Sequence, residues 1–183
     1  MAGHSHWKQI QRHKGSEDER RAKLFAKLLA AIVVAAKTDP HPQFNPRLRA
    51  AVEKARAAHV PHDNIDRALT RASEDKTFEE LRVEAYGPGG AALLVDAITD
   101  NKNRTIAELR HILSEHNGKL GEPGSVQWAF EATESGEWRP KFPAAIADDA
   151  KKMLLLLKTA LEEHPDVQRV STNAASEQFR NPL

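Results

Sequence analysis

The 183-residue chain contains no cysteine. That absence excludes a disulfide framework, thiolate zinc sites and a cysteine nucleophile together, and it agrees with a reducing compartment. Long apolar runs are missing as well. The longest, Leu28 to Ala36, is far too short to cross a bilayer. The opening Met-Ala-Gly-His-Ser-His-Trp-Lys has no apolar stretch behind a basic start, so no secretory signal and no membrane partner are expected, and the cytoplasm is the expected location. The turn Gly87-Pro88-Gly89-Gly90 lacks the Lys-Ser/Thr and following helix of a phosphate-cradling loop. It reads instead as a tight hairpin with positive φ, and no cofactor is expected. No Ser/His/Asp ordering or paired carboxylate stands in a recognisable turn, so no catalytic residue is nominated and the chain reads as non-enzymatic.

What the sequence does hold is an uneven charge. Residues 1–71 carry 14 of the 27 Lys and Arg but only 7 of the 26 Asp and Glu, a formal +7; residues 72–183 carry a formal −6. Six of the 9 histidines also lie in the basic part. A field of that sign at one end attracts polyanions whatever the net charge of the whole. The chain therefore reads as a basic, nucleic-acid-facing module joined to an acidic globular one.

Periodicity divides these parts further. Residues 1–15 hold Lys8, Arg12 and Lys14 around Trp7 with no helical repeat, and read as a flexible basic arm. Ser16-Glu17-Asp18-Glu19 has the pattern of a capping box. Leu24, Phe25, Leu28, Leu29 and Ile32 then recur at helical spacing, with Arg20, Lys23 and Lys27 forming a basic stripe opposite. Asn45-Pro46 restarts a helix, Asn as cap and Pro at the first helical position. Its inward face is Leu48, Ala51, Val52 and Ala55, and Arg47, Arg49, Lys54 and Arg56 stay outside. After Val60-Pro61, Ile65, Ala68 and Leu69 mark a third helix with Arg67 and Arg71 exposed. The three-helix basic domain spans 16–72, and the polar run 73–77 is a linker. Beyond it the period changes to that of strands: 81–86, 91–98, 125–131 and 167–172, with 137–142 able to hairpin, plus helices led by Ile106 and by Asp148. His111, His116 and His164 read as isolated surface or edge residues on helices, and 176–183 as a frayed tail. The fold class expected is α+β: an N-terminal three-helix domain, then over 78–175 an α/β sandwich with two helices on a mixed four- to five-stranded sheet.

Two polar constellations admit two readings. Asx-turns and helix capping account for Asp100, Asn101 and Thr105, yet Asn101, Lys102, Asn103 and Arg104 also gather donors at a helix start suited to phosphate or an RNA loop. His4 follows Ala2-Gly3, a sequence that offers nitrogen ligands to square-planar copper if Met1 is removed; with no second-shell partner nearby, no metal site is expected.

Several segments together carry a family likeness: Ala2-Gly3-His4-Ser5-x-Trp7, Lys23-Leu24-Phe25-x-Lys27-Leu28, Asn45-Pro46-Arg47-Leu48-Arg49, Pro61-x-Asp63-Asn64-Ile65-x-Arg67-Ala68, Tyr86-Gly87-Pro88-Gly89-Gly90, Thr99-Asp100-Asn101-x-Asn103-Arg104-Thr105 and Gly124-Ser125-Val126. The chain resembles the YebC/PmpR family, which includes the mitochondrial translational activator of cytochrome oxidase. The likeness runs from residue 2 to about 130 and resumes over 140–173. It implies a helical domain followed by α/β domains, a DNA-binding transcriptional regulator or a ribosome-associated translation factor, and no catalysis. His6 stands where the family usually has Lys, which weakens the arm's charge at neutral pH. Residues 132–138 stand where the family carries a further inserted α/β domain.

The expectation is a monomeric, non-enzymatic regulator of gene expression whose partner is DNA, ribosomal RNA or the ribosome. Its phosphate contacts would be Lys8, Arg12, Lys14, Arg20, Lys23, Lys27, Arg47, Arg49, Arg56, Arg67 and Arg71. The alternative from another class is a protein-docking adaptor acting through the acidic domain. Sequence-specific duplex reading is not expected, because His59-Val60-Pro61 gives no glycine turn of a helix-turn-helix and only Asn64 and Arg67 are placed to read bases.

Overall fold

A computed structural model describes residues 3–74, 78–133 and 136–175, the side chains of 3–16 and 73–74 excepted. The chain divides into two compact units, Met1–Lys76 and Thr77–Leu183.

The first unit is three helices: α1 (Gly3–Ala36), α2 (Pro46–Ala57) and α3 (His62–Glu74), with α1 packed against both others. The expected arm is instead the beginning of α1, and the helix runs straight through Ser16, where a cap was expected. Residues 4–14 contain no helix breaker, and the single Gly15 costs only about 1 kcal/mol, which an uninterrupted hydrogen-bond ladder offsets. Burial begins later than the apolar pattern suggested. Leu24 is 46% exposed, whereas Leu28, Ile32 and the run Val33–Ala36 are buried against Leu48, Val52, Ala55, Ile65 and Ala68 in the core of the unit.

Asn45 ties the end of α1 to the start of α2. Its Oδ1 accepts from Leu48 N–H at 3.0 Å, capping α2 as expected, and its Nδ2 donates to the carbonyls of Ala35 and Asp39 at 2.8 Å each. The far end of α2 closes with His59 at φ 60°: His59 N–H donates to Arg56 O (2.9 Å) and Val60 N–H to Ala55 O (3.0 Å). This is a Schellman turn with histidine where glycine is usual. α3 continues to Glu74, into the stretch expected as linker; 75–77 and the tail 176–183 lie outside the described residues.

The second unit holds β1 (Glu79–Tyr86), β2 (Ala92–Thr99), α4 (Lys102–Glu115), β3 (Lys119–Leu120), β4 (Phe130–Ala132), β5 (Trp138–Pro140), α5 (Asp148–Glu163) and β6 (Val167–Thr172). The α+β class stands, with α4 and α5 as its two helices. All pairings between named strands among the described residues are antiparallel where a mixed sheet was expected, in the order β3-β1-β2-β6, with β4–β5 a separate hairpin and Ala144–Ala174 a lone parallel bridge. The β1–β2 turn has Gly89 at φ 72° and Gly90 at φ 75°, as its glycines predict. Gly87 sits in a tight space: a Cβ there would lie 2.7 Å from Leu154 Cδ1, so the leucine would have to shift.

Alternation along the strands gives the sheet two covered faces. Val83, Ala85, Leu93 and Val95 pack with Leu109, Leu113, Leu154, Leu157 and Leu161 of the helices. Ala92 and Leu94, on the opposite face, pack with Val126, Ala129 and Phe130, and with Tyr86 and Trp138 at the edge. No helix among the described residues is long and apolar enough to cross a membrane.

Candidate nucleic-acid interface

The helical period arranges the cations of α2 in two rows. Arg49 and Arg56, seven residues apart, flank one side of the buried stripe Leu48–Val52–Ala55; Arg47 and Lys54, also seven apart, flank the other. All four are exposed. Among the described residues no carboxylate pairs with Arg49, Lys54 or Arg56, and Arg47 is already engaged. On α1, Arg20 is likewise exposed and unpaired among the described residues, Lys23 reaches Glu19 at 3.1 Å, and Lys27 is half-buried and engaged. Arg21, which the sequence reading left out, lies over the Phe25 ring at 5.2 Å. Lys8, Arg12 and Lys14 fall on the first turns of α1, and their side chains lie outside the described residues.

On α3 the two proposed base readers hold each other: Arg67 donates to Asn64 Oδ1 at 2.8 Å and to Asp63 O at 3.1 Å. Arg71 is exposed and already engaged. α2 and the middle of α1 therefore supply the cations with most freedom to meet phosphate.

The corner at 99–105 spends its polar atoms on the fold. Asn101 caps α4 by accepting from Arg104 N–H at 3.1 Å, and Lys102 pairs with Glu79 at 2.7 Å. Arg104 reaches both Asp166 and Asp100 at 2.9 Å, chiefly through the Asp166 hydrogen bond that raises its pKa. Thr105 donates to Asp166 Oδ2 at 2.6 Å. Burial pushes the Asp166 carboxyl upward, but the hydrogen bonds from Thr105, Arg104 and Thr99 outweigh it and hold the group below its ordinary value. Only Asn103 is left facing solvent without such a role.

His164 corrects the sequence reading. Rather than a surface residue it is buried, with Nδ1 accepting from Asp166 N–H at 3.1 Å and Nε2 facing Glu108 at 2.9 Å. Glu108, His164 and Asp166 bring three potential metal ligands within 4.8 Å of one another. Each is already engaged by a partner within the fold, so the trio acts as a brace between α4 and the α5–β6 corner.

A second carboxylate explains why 125–131 is not the strand expected. Glu84 of β1 accepts from the backbone N–H groups of Gly124 (2.6 Å), Val126 (2.7 Å) and Gln127 (2.9 Å). Donors satisfied by a side chain cannot join a ladder, so the segment turns, and β4 starts only at Phe130. Burial raises the Glu84 carboxyl, and those three donors together more than cancel the effect.

Missed by the sequence reading is an aromatic pair beside this turn. Trp128 and Phe142 are 64% and 52% exposed, with ring centroids 5.8 Å apart. Aromatic residues next to the apolar Val126 and Phe130 look like core in a sequence, and only the Glu84-bound turn directs Trp128 outward.

Comparison with known proteins places this architecture. The N-terminal domain model of TACO1/YebC proteins matches residues 5–75, and the model for their second and third domains matches 78–135. The chain belongs to the TACO1/YebC family. A probable transcriptional regulatory protein of Methylococcus capsulatus is 48% identical over 162 residues, covering 81% of this chain and 65% of that protein. A namesake from Chloroherpeton thalassium is 44% identical over 167 residues, covering 89% and again 65%. The chain thus matches somewhat under two thirds of the length of these relatives. The crystal structure of a conserved hypothetical protein from Aquifex aeolicus superposes with a TM-score of 0.79 at 30% identity, covering 90% of this chain and 95% of that one. The TACO1/YebC second-and-third-domain match stops at residue 135, between β4 and β5 in the chain, while the fold of the unit continues through α5 and β6.

Proposed function

We propose that this TACO1/YebC protein is a non-enzymatic regulator of gene expression that binds nucleic acid through its helical unit, with α2 as the principal contact. The observation that carries the reading is the exposed set Arg49, Lys54 and Arg56, left without carboxylate partners among the described residues in a segment of formal charge +7. Arginines in water with no internal partner are available to phosphate at no cost in broken ion pairs. The relatives' name, probable transcriptional regulatory protein, agrees with such a role.

Because Asn64 and Arg67 occupy one another, affinity rests on phosphate rather than base edges. Cognate-like and mismatched duplex DNA sites are expected to bind within about tenfold of each other, where specific sites usually exceed non-specific ones by roughly a thousandfold or more. Structured RNA, read by shape, and the ribosome suit such a surface at least as well as a promoter. The test is titration of the full chain with duplex DNA and with a structured RNA across salt. If about six phosphates are neutralised, affinity falls on the order of a thousandfold between about 50 and about 200 mM salt. A salt-independent affinity, or a promoter favoured by the larger margin, would overturn the reading.

A further inference from the structure

We propose that the exposed Trp128–Phe142 pair is a stacking platform for unpaired RNA bases, a contact separate from the helical unit. Both residues are held from behind. The Trp128 indole N–H donates to Ser125 O at 2.8 Å, which uses its one donor and leaves the ring faces to offer. Phe142 N–H donates to Ala129 O at 3.2 Å, and its own carbonyl accepts from Asn173 Nδ2 at 3.1 Å. Asn173 is itself buried and caps the start of β2 by accepting from Ala92 N–H at 2.8 Å. The Trp128 ring and the Phe142 backbone are thus held before any ligand arrives, which lowers the ordering entropy lost on binding.

Charge around the pair favours an anionic partner. Lys141 Nζ lies 5.6 Å from the Phe142 centroid and has no ion-pair partner among the described residues. Aromatic faces with adjacent cations are the elements that hold single-stranded nucleic acid, base on ring and phosphate on cation. Protein interfaces are depleted in lysine and need roughly 800 Å² from each partner, far more than two rings and a lysine stem present. Duplex DNA shows no unpaired base, whereas RNA shows them in loops and bulges.

The inference rests on the nucleic-acid reading above, and the experiment separates the two. The full chain is titrated with a single-stranded RNA of roughly ten nucleotides, and separately with a duplex DNA. The variants are Trp128→Ala, Trp128→Phe and the triple Arg49→Gln, Lys54→Gln, Arg56→Gln. Expected for Trp128→Ala is a loss of about tenfold or more on the single strand, with duplex binding within about twofold of the parent, the signature of one lost stack. Trp128→Phe restores most of the loss, because a smaller aromatic face still stacks, and unchanged duplex binding separates a lost stack from a packing defect. Unchanged single-strand affinity in Trp128→Ala, or equal losses on strand and duplex, overturns the platform. Losses confined to the triple variant leave the proposed function standing and remove this one; no binding by any form removes both. A protein partner retained through Trp128 after ribonuclease treatment would also overturn it.

Discussion

In the second unit carboxylates are structural parts, and in the first unit cations are left facing water. Arg82–Asp96 (2.7 Å), Lys102–Glu79 (2.7 Å), Arg104–Asp166 (2.9 Å) and Arg169–Glu137 (3.0 Å) are ion pairs closed within residues 79–169. Glu84 goes further and organises a whole turn with its two oxygens. In the helical unit the comparable internal tie is the neutral Asn45, while Arg20, Arg49, Lys54 and Arg56 pair with nothing among the described residues. Exposed ion pairs contribute little to stability, typically about 0–1 kcal/mol each. The contrast is therefore one of availability: charge already satisfied inside a unit does not attract a polyanion, and charge left open does.

The largest expected effect comes from closing that availability. Replacing Arg49, Lys54 and Arg56 together by Gln removes three phosphate contacts, and nucleic-acid affinity falls on the order of a hundredfold while the salt slope drops by about three. Thermal unfolding stays within a degree or two of the parent, since these side chains bury nothing. Gel-shift titrations at several salt concentrations, paired with calorimetry, check both halves. A large stability loss would mean that the rows are structural.

The mirror experiment is Glu84→Gln. The amide keeps one acceptor and turns an N–H₂ toward backbone donors, so the second unit loses about 2–4 kcal/mol, read as a lower denaturant midpoint. The pH dependence has a definite sign. Glu84 and Asp166 have folded pKa values below their unfolded ones, so they bind fewer protons when folded. Their stabilisation is complete above the unfolded values, about 4.3 and about 3.9, and is lost as pH falls through the lower folded values. Glu84→Gln removes its share of that acid sensitivity; an unchanged acid profile would show that the turn is held by something else.

Asn45→Ala tests the neutral tie. It removes a cap worth about 1 kcal/mol and leaves the buried Ala35 carbonyl unpaired, for a total of about 2–3 kcal/mol. Asn45→Asp keeps the capping acceptor but turns a buried carboxylate oxygen against both carbonyls, so at neutral pH it is at least as destabilising as Ala. If Asp matches the parent, the two carbonyl contacts carry no weight.

These tests also mark what a sequence reveals. Features set by neighbours in the chain were legible: the Asn45-Pro46 start, the Gly87–Gly90 turn, the Asp148 start of α5 and the β6 strand all rest on one or two local residues. Features set by distant partners were not. Glu84 reshapes a turn some 40 residues away, and Asp166 is held by Thr105 and Arg104 from another element. The burial of His164 depends on Glu108, 56 positions earlier. The basic rows of α2 were visible because helical period alone places them. Their freedom from partners was not visible, because it depends on where every carboxylate in the unit ends up. The start of α1 failed for a different reason: a capping motif marks where a helix can begin, and nothing upstream obliged it to begin there.

The smallest effect compares the two units at one shared device. Each closes a helix through a non-glycine residue in the left-handed region, His59 at φ 60° after α2 and Asn117 at φ 57° after α4. Both turns carry the long-range bond of a Schellman motif, Val60 N–H to Ala55 O at 3.0 Å and Gly118 N–H to Leu113 O at 2.7 Å. A β-carbon in that region costs about 1 kcal/mol or more, less for Asn, whose short amide tolerates it. His59 is exposed and makes no side-chain hydrogen bond among the described residues, whereas Asn117 Nδ2 also meets Met153 Sδ at 3.9 Å. His59→Gly therefore stabilises the helical unit by about 0.5–1 kcal/mol, and Asn117→Gly changes the second unit by less than about 0.5 kcal/mol. Denaturant midpoints of the two variants decide the point. A destabilising His59→Gly would show that the imidazole has a role the fold alone does not require. If nucleic-acid affinity fell with it, His59 would join Arg56 on the contact face at the end of α2.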